Sequence, residues 1–181
     1  MHRTTARHGA LARVVTTAAF GAAKDRFRLQ TGAEFIVTGN TVIDALLYTI
    51  EKSRQSTDPL PVALDANKRL VLVTVHRREN FGEPLDEICR ALRDLVLQHP
   101  DTEMVIPVHP NPNVREKVYG ALGNIERIQL IDPVDYEPFC KLMERATLIL
   151  TDSGGVQEEA PSLKKPVLVL REETERPEAV E

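Results

Sequence analysis

The sequence predicts an α/β fold, in which helices cover both faces of a Rossmann-like parallel sheet. Short apolar runs of strand length alternate with segments whose apolar residues recur at helical spacing. The best-defined run, residues 70–75, is apolar at nearly every position rather than at every second one, which is typical of a strand buried on both faces. No repeat or low-complexity tract interrupts the alternation.

The first predicted elements follow one another from residue 34 onward. Residues 35–37 form a short strand, and residues 39–41 form a turn with an N-cap before a helix over residues 42–54. A proline-containing loop leads to the strand at residues 70–75. Pro84 suits the first turn of the next helix, which continues to Val96 with its apolar residues at helical spacing.

The same alternation continues to the end of the chain. Strands are predicted at residues 104–108, 127–131, 147–150 and 167–170, and helices at residues 114–122, 136–145 and after Ser153. Ligands of such sheets bind beyond the carboxyl ends of the strands. We therefore expect one common edge to carry the loops that follow the strands, namely residues 38–40, 76–80, 109–112, 132–135, 151–155 and 171–176.

Composition excludes several classes of protein. The formal net charge of −4 argues against a general nucleic-acid binder, which needs a basic surface. No apolar stretch approaches the roughly 20 residues that span a bilayer, so no membrane association is expected. Cys89 and Cys140 lack metal-ligand spacing and are interpreted as reduced core thiols of a cytoplasmic protein. No cofactor or metal is expected.

The first 33 residues differ from the rest. This segment contains six basic residues and a single acidic residue, Asp25, and alanine and threonine are common between them. This segment is interpreted as a basic leader, helical or poorly ordered, and an organellar transit peptide is the alternative. Residues 34–181 are interpreted as the folded domain.

The strongest chemical signal is the segment that follows the predicted strand at residues 147–150. It reads Thr-Asp-Ser-Gly-Gly-Val-Gln-Glu-Glu and places Ser153, Gly154 and Gly155 at the start of a helix, where free backbone N–H groups suit a phosphate. Glu159 lies more than a turn further along and suits sugar hydroxyls. A diphosphate and a ribose together indicate a nucleotide-sugar. The alternative is a purely structural Gly-Gly turn.

Four further residues are weaker candidates. His76 and Arg77 follow a buried strand, so they suit a diphosphate or a leaving group, although a solvated charged loop is the alternative. His109 lies in a proline-rich loop and on spacing alone fits a structural role. Phe139 fits helix packing or a base pocket, and Arg176 fits a phosphate clamp or an ordinary surface charge.

In this order, these segments resemble the non-hydrolysing UDP-N-acetylglucosamine 2-epimerases. The resemblance covers about Ile36 to Glu181 and implies the second half of a two-domain, glycosyltransferase-B type fold. The matching stretches are VTGNTVIDAL at 37–46, VTVHRREN at 73–80, PVHPNPNVRE at 107–116, LIDPVDYEPF at 130–139 and LTDSGGVQEEAPSLKKPVLVLREETERPEAV at 150–180.

The resemblance implies a role for each candidate. Substrate-binding positions are the diphosphate site at Ser153, Gly154 and Gly155, Glu159 for the ribose, Phe139 for the uracil, and Arg176 for the phosphate or sugar. His76 matches the active-site histidine, and Arg77 and His109 match positions of an allosteric UDP-N-acetylglucosamine site. Val134 departs from the family, since many relatives have a glutamine there near the base.

The resemblance also implies a reaction that this chain does not complete alone. Family members interconvert UDP-N-acetylglucosamine and UDP-N-acetylmannosamine, an isomerisation that serves cell-surface polysaccharide biosynthesis. The acidic residues that move the C2 proton belong to an amino-terminal half that nothing here resembles, and helices that normally follow residue 180 are absent. We therefore expect an inactive fragment that binds UDP and depends on a missing domain or a separate chain, whereas complete relatives form homodimers.

Three other interpretations remain open at this point. A hydrolysing UDP-N-acetylglucosamine 2-epimerase shares much of the architecture. A glycosyltransferase of the same fold could use a similar Gly-Gly helix and carboxylate, although the HRREN and ERPEA segments favour the epimerase. The chain could also be a noncatalytic UDP-sugar-binding remnant or sensor, or a nonfunctional gene product.

Overall fold

The computed structural model describes residues 14–15, 36–37 and 41–171. The chain divides into two compact units, Met1–Ala45 and Leu46–Glu181. In the first unit, strand β1 (Val14–Val15) pairs in parallel with strand β2 (Ile36–Val37). Strand β2 was predicted, whereas β1 lies within the basic segment, for which no strand was predicted.

The remaining elements alternate between helix and strand and agree with the predictions to within a few residues. A short 3₁₀ turn, Arg78–Asn80, is the addition. In chain order the elements are α1 (Thr41–Gln55), β3 (Arg69–Thr74), α2 (Glu83–Gln98), β4 (Thr102–Pro107), α3 (Pro112–Leu122), β5 (Ile128–Ile131), α4 (Tyr136–Arg145), β6 (Leu148–Thr151), α5 (Gly154–Ser162) and β7 (Val167–Val169).

The second unit contains a five-stranded sheet in the order β5-β4-β3-β6-β7, and every neighbouring pair is parallel. The chain first adds β4 and β5 on one side of β3 and then crosses to place β6 on the other side. Strands β3 and β6 are therefore neighbours from which the chain departs in opposite directions. Such a switch point leaves a crevice at the carboxyl ends of the two strands.

Helices pack on both faces of this sheet, which confirms the predicted α/β fold. Val71 and Val73 of β3 belong to a core shared with α2 and α3, whereas Leu70 and Leu72 belong to a second core shared with α1, α4 and α5. Successive side chains of a strand point to opposite faces, so two cores require an apolar residue at every position. This requirement explains the continuous apolar run.

The two cysteines lie in different cores. Cys89 packs among the residues of the first core and Cys140 among those of the second, and both are buried free thiols, as predicted. Burial raises the pKa of the Cys140 thiol to about 11. Within the described part of the chain, no helix combines the length and hydropathy that a membrane span requires.

Candidate functional site

A cavity of about 260 Å³ opens beside the switch point. Its lining comes from loops that follow four different strands, represented by His76 after β3, His109 after β4, Pro133 after β5 and Ser153 after β6. Phe139 of α4 adds an aromatic wall. For four of the six predicted loops, the prediction that they open on one edge is confirmed. The loop at residues 38–40 and residues 172–176 of the loop after β7 lie outside the described residues.

Asp152 organises the loop after β3, although sequence reasoning did not single it out. Its carboxylate is fully buried, and Oδ2 accepts hydrogen bonds from the backbone N–H of His76 (2.9 Å), the backbone N–H of Arg77 (2.8 Å) and Nδ2 of Asn80 (2.9 Å). Burial by itself would raise the pKa of Asp152, but these donors together with the His76 side chain outweigh it and lower the pKa. Asp152 is therefore a buried carboxylate rather than a carboxylic acid.

The sequence carried one signal that could have identified Asp152. This acidic residue directly follows a buried strand and precedes Ser-Gly-Gly, so its charge is shielded from water and needs hydrogen-bond donors from the protein. The same network extends further, because Asn80 Nδ2 also donates to the carbonyl oxygen of Leu170 at 3.2 Å. The ends of β3, β6 and β7 are thereby connected through one side-chain cluster.

The His76 ring is held at the mouth of the cavity. Its Nδ1 lies 3.0 Å from Oδ1 of Asp152, and 41% of the side chain is exposed. Because Nδ1 is the ring nitrogen near this carboxylate, the hydrogen is assigned to Nδ1, and Nε2 is the atom available to a ligand. This arrangement suits hydrogen bonding to an anionic group in the cavity.

His109 faces the same cavity from the next loop. Its ring lies nearly parallel to that of His76, with the centroids 6.3 Å apart and the planes inclined by 20°. The backbone N–H of Asn111 donates to Nδ1 of His109 at 3.2 Å, so the ring also stabilises its own loop. The structural role expected from spacing is therefore present, and it coexists with a position on the cavity wall.

Ser153 and the two glycines form the start of α5 beside this wall. Ser153 is the N-cap, and its backbone N–H donates to Oγ1 of Thr151 at 3.0 Å. A side chain built on Gly155 would meet nothing closer than the Ser153 hydroxyl at 3.9 Å, so space is open around this backbone. Open N–H groups at the positive end of a helix dipole suit an anion.

Glu159 lies deeper in α5 and is only 6% exposed. Its Oε1 accepts a hydrogen bond from the hydroxyl of Tyr136 at 2.7 Å. Burial is the largest cause that raises the pKa of Glu159, and the hydrogen bond from Tyr136 partly opposes it. Burial and this same hydrogen bond raise the pKa of Tyr136. Sequence reasoning missed Tyr136, because nothing in its spacing distinguished it from the other helix residues.

Phe139 and Val134 form an apolar part of the wall. Both line the cavity, and both also pack against the core that includes α4 and α5. Phe139 therefore both packs in the core and lines the cavity, two roles that were alternatives in the sequence analysis. A flat apolar wall of this kind suits a planar ring.

Two other predicted residues contribute less to the described geometry. Arg77 is half-buried, and its backbone N–H is held by Asp152, as described above. Arg176 lies outside the described residues. Among residues that the structure describes, no group of three or more His, Cys, Asp or Glu side chains has the arrangement of a metal site.

Comparison with known proteins shows which family this chain is similar to. The family model described as UDP-N-acetylglucosamine 2-epimerase matches residues 9–181, so the match includes much of the basic segment. The UDP-N-acetylglucosamine 2-epimerase of Escherichia coli (strain K12) is 55% identical over 155 residues, which is 82% of this chain and 41% of that protein. A Thermotoga maritima protein named as a putative enzyme of this type is 56% identical over 146 residues, 80% of this chain and 39% of its own length.

Solved structures of such proteins have the same fold. The UDP-GlcNAc 2-epimerase from Neisseria meningitidis bound to UDP-GlcNAc superposes with a TM-score of 0.77 at 47% identity, covering 81% of this chain and 41% of that one. The S. aureus MnaA structure with UDP gives a TM-score of 0.72 at 47% identity, covering 81% and 40%. The chain thus spans about two fifths of the length of these relatives.

Proposed function

Because the chain belongs to the UDP-N-acetylglucosamine 2-epimerase family, we propose that it supplies the UDP-binding half of an enzyme that interconverts UDP-N-acetylglucosamine and UDP-N-acetylmannosamine. One observation carries this proposal. The start of α5 at Ser153, the ring of His76 and the ring of Phe139 line a single cavity at the switch point of a parallel sheet.

The diphosphate is proposed to bind at the start of α5. The N–H groups after Ser153 and the open space around Gly155 allow phosphate oxygens to approach the backbone closely. His76 would add a hydrogen bond from Nε2, while Asp152 holds the opposite nitrogen of the ring. Arg176 is proposed to contact the phosphate or sugar from the segment beyond β7.

The nucleoside is proposed to bind along α4 and α5. The uracil would stack against Phe139 beside Val134, where backbone groups replace the side-chain amide that many relatives use. The ribose hydroxyls would donate to Glu159, whose carboxylate lies on the same helix as the diphosphate site. Arg77 and His109 are proposed to belong to an allosteric UDP-N-acetylglucosamine site, next to the catalytic histidine His76.

The reaction is proposed to proceed by elimination and re-addition of UDP. A base removes the C2 proton, the bond between C1 and the diphosphate oxygen breaks, and UDP departs from a glycal intermediate. The proton then returns to the other face of C2 while UDP adds back to C1. His76 and the start of α5 would stabilise the negative charge on the departing diphosphate. This sequence of steps uses no redox cofactor, because elimination and re-addition of UDP move a proton and a leaving group and transfer no hydride.

The base that acts at C2 is proposed to come from an amino-terminal half, either in the same polypeptide or in a separate chain. A homodimer is proposed for the complete protein. A cytoplasmic location is also proposed, and the support for it is the pair of free, buried thiols at Cys89 and Cys140.

A binding titration tests the proposal. The 181-residue protein is titrated calorimetrically with UDP, UDP-N-acetylglucosamine and inorganic phosphate, and proton NMR is used to follow conversion of the sugar. We expect both uridine ligands to bind more tightly than phosphate, with no epimerisation by this chain alone. Equal affinity for phosphate and UDP would contradict the nucleotide site, and turnover would contradict the need for a second half.

A further inference from the structure

Tyr136 and Glu159 form a contact that joins the first turn of α4 to the middle of α5. The Tyr136 hydroxyl donates to Oε1 of Glu159 at 2.7 Å. Glu159 is 6% exposed, whereas Tyr136 is 43% exposed. The phenol therefore connects a buried acceptor to the protein surface.

This contact lies beside the cavity wall. Phe139 is three residues after Tyr136 on α4, and Val156 is three residues before Glu159 on α5, and both of these partners line the cavity. Residues three apart lie on the same face of a helix. Tyr136 and Glu159 are therefore each about one helical turn from a residue of the cavity wall, although neither of them is itself a lining residue.

A single donor does not exhaust the capacity of this carboxylate. Two carboxylate oxygens offer about four acceptor positions. A hydrogen bond that already holds Oε1 lowers the conformational cost of presenting the remaining positions to a ligand. A ligand analogue that lacks the hydroxyl binds more weakly to such a site, because the buried acceptor then loses a hydrogen-bond donor.

We propose that Tyr136 is a positioning residue that holds Glu159 for a ribose 2′-hydroxyl, and that it thereby makes the site select ribonucleotides over 2′-deoxyribonucleotides. The proposal rests on the UDP-binding function proposed above and assigns its sugar selectivity to a residue that does not itself need to touch the ligand. Tyr136 acts through the orientation of Glu159.

The test compares UDP with 2′-deoxy-UDP on three proteins: wild type, Tyr136→Phe and Tyr48→Phe. Tyr48 is 71% exposed on α1 and provides the same chemical change away from the cavity. We expect wild type and Tyr48→Phe to share one preference for UDP. In Tyr136→Phe, UDP affinity should fall roughly 3- to 10-fold, the effect of one hydrogen bond, and the affinity ratio of UDP to 2′-deoxy-UDP should approach one.

Each outcome decides a specific statement. A wild-type affinity ratio in Tyr136→Phe overturns the inference and leaves the UDP site intact. Equal losses for the two ligands also overturn it, because they would show a role in the fold alone, and a thermal unfolding measurement on each variant identifies that case. Wild-type protein that binds UDP no better than phosphate overturns the proposed function and the inference with it.

Discussion

Nδ1 of His76 lies 3.0 Å from Oδ1 of Asp152, a carboxylate with no solvent exposure. The same carboxylate accepts backbone hydrogen bonds from His76 and Arg77 through its other oxygen. One acid therefore sets both the path of the loop and the orientation of its histidine. A ring held in this way needs little reorganisation to meet a charged ligand.

Replacement of Asp152 by Asn should cost both stability and ligand orientation. The amide oxygen can still accept from the N–H groups of His76 and Arg77, but the amide NH2 group then faces Nδ1 of His76 in place of Oδ1. Hydrogen bonds to a charged acceptor are stronger than those to a neutral one, so the loss of charge should lower the free energy of unfolding by about 1 to 3 kcal/mol. Denaturant unfolding should show this loss, and nitrogen-15 NMR should show that the His76 ring no longer keeps its hydrogen on Nδ1.

Asp132→Asn is the matched control for this substitution. Asp132 is exposed and pairs with Arg115 at 2.8 Å on the surface, where ion pairs contribute little. The unfolding midpoint of Asp132→Asn should equal that of wild type. A normal His76 tautomer in Asp152→Asn would argue against the orienting role of Asp152.

Replacement of Gly155 by Ala should separate binding from folding. The added methyl group has room in the free protein but occupies the space through which a phosphate would approach the start of α5. UDP affinity should fall roughly tenfold or more, equivalent to about 1.4 kcal/mol, while the unfolding free energy is unchanged or slightly higher.

Gly120→Ala on α3 controls for the change in backbone entropy. Nothing lies within 4 Å of a side chain added there. The free energy of unfolding of this variant should therefore rise by about 0.5 to 1 kcal/mol, and its UDP affinity should equal that of wild type. Undiminished UDP binding by Gly155→Ala would place the diphosphate elsewhere.

UDP binding should weaken on acidification at a higher pH than an ordinary glutamate predicts. Burial raises the pKa of Glu159 above 4.5, and the groups around it are Tyr136 and Cys140 on α4 and Glu158 on its own helix. Protonation removes an acceptor for the ribose, so affinity is lost as pH falls through the raised pKa. Removal of the Tyr136 hydroxyl should move the midpoint to still higher pH, because that hydrogen bond lowers the pKa.

Calorimetry over a series of pH values measures this midpoint. Glu159→Gln is the control, because a glutamine side chain does not titrate. In this variant the only loss of UDP affinity at low pH should be the one caused by protonation of UDP itself. A midpoint that is identical in wild type and Tyr136→Phe would mean that the hydrogen bond does not persist in solution.

Stability should depend on pH through Glu103, a buried residue of β4. Burial is the largest cause of its raised pKa, although a hydrogen bond from the backbone N–H of Asp65 at 3.0 Å partly opposes it. The folded state therefore disfavours ionisation, and it loses stability as pH rises from below 4.5 through the raised pKa.

Glu103→Gln keeps an oxygen for Asp65 and has no charge to bury. Its free energy of unfolding should rise relative to that of wild type as pH increases through that interval, and the difference should then level off. Denaturant titrations from below pH 4.5 to neutrality measure the difference. A difference that stays constant across the interval would show that Glu103 does not titrate abnormally.

Much of the fold was predictable because it follows from local chemistry. The apolar run at residues 70–75 has to be buried on both faces, and Tyr136–Arg145 has helical spacing along its whole length. Ser153 before two glycines marks a helix start with open N–H groups. These features depend on neighbours in the chain, so they were predicted without knowledge of the tertiary structure.

The sequence by itself thus determined the order of helices and strands, the apolar faces and the position of the Ser-Gly-Gly turn at the start of α5. Only the tertiary structure decided that β6 returns beside β3, which brings Asp152 to His76 across 76 positions of the chain. It also decided that Tyr136 reaches Glu159. Contacts of this kind depend on strand order and helix packing, and a buried charge or hydroxyl acquires its partner only when distant segments exclude water together.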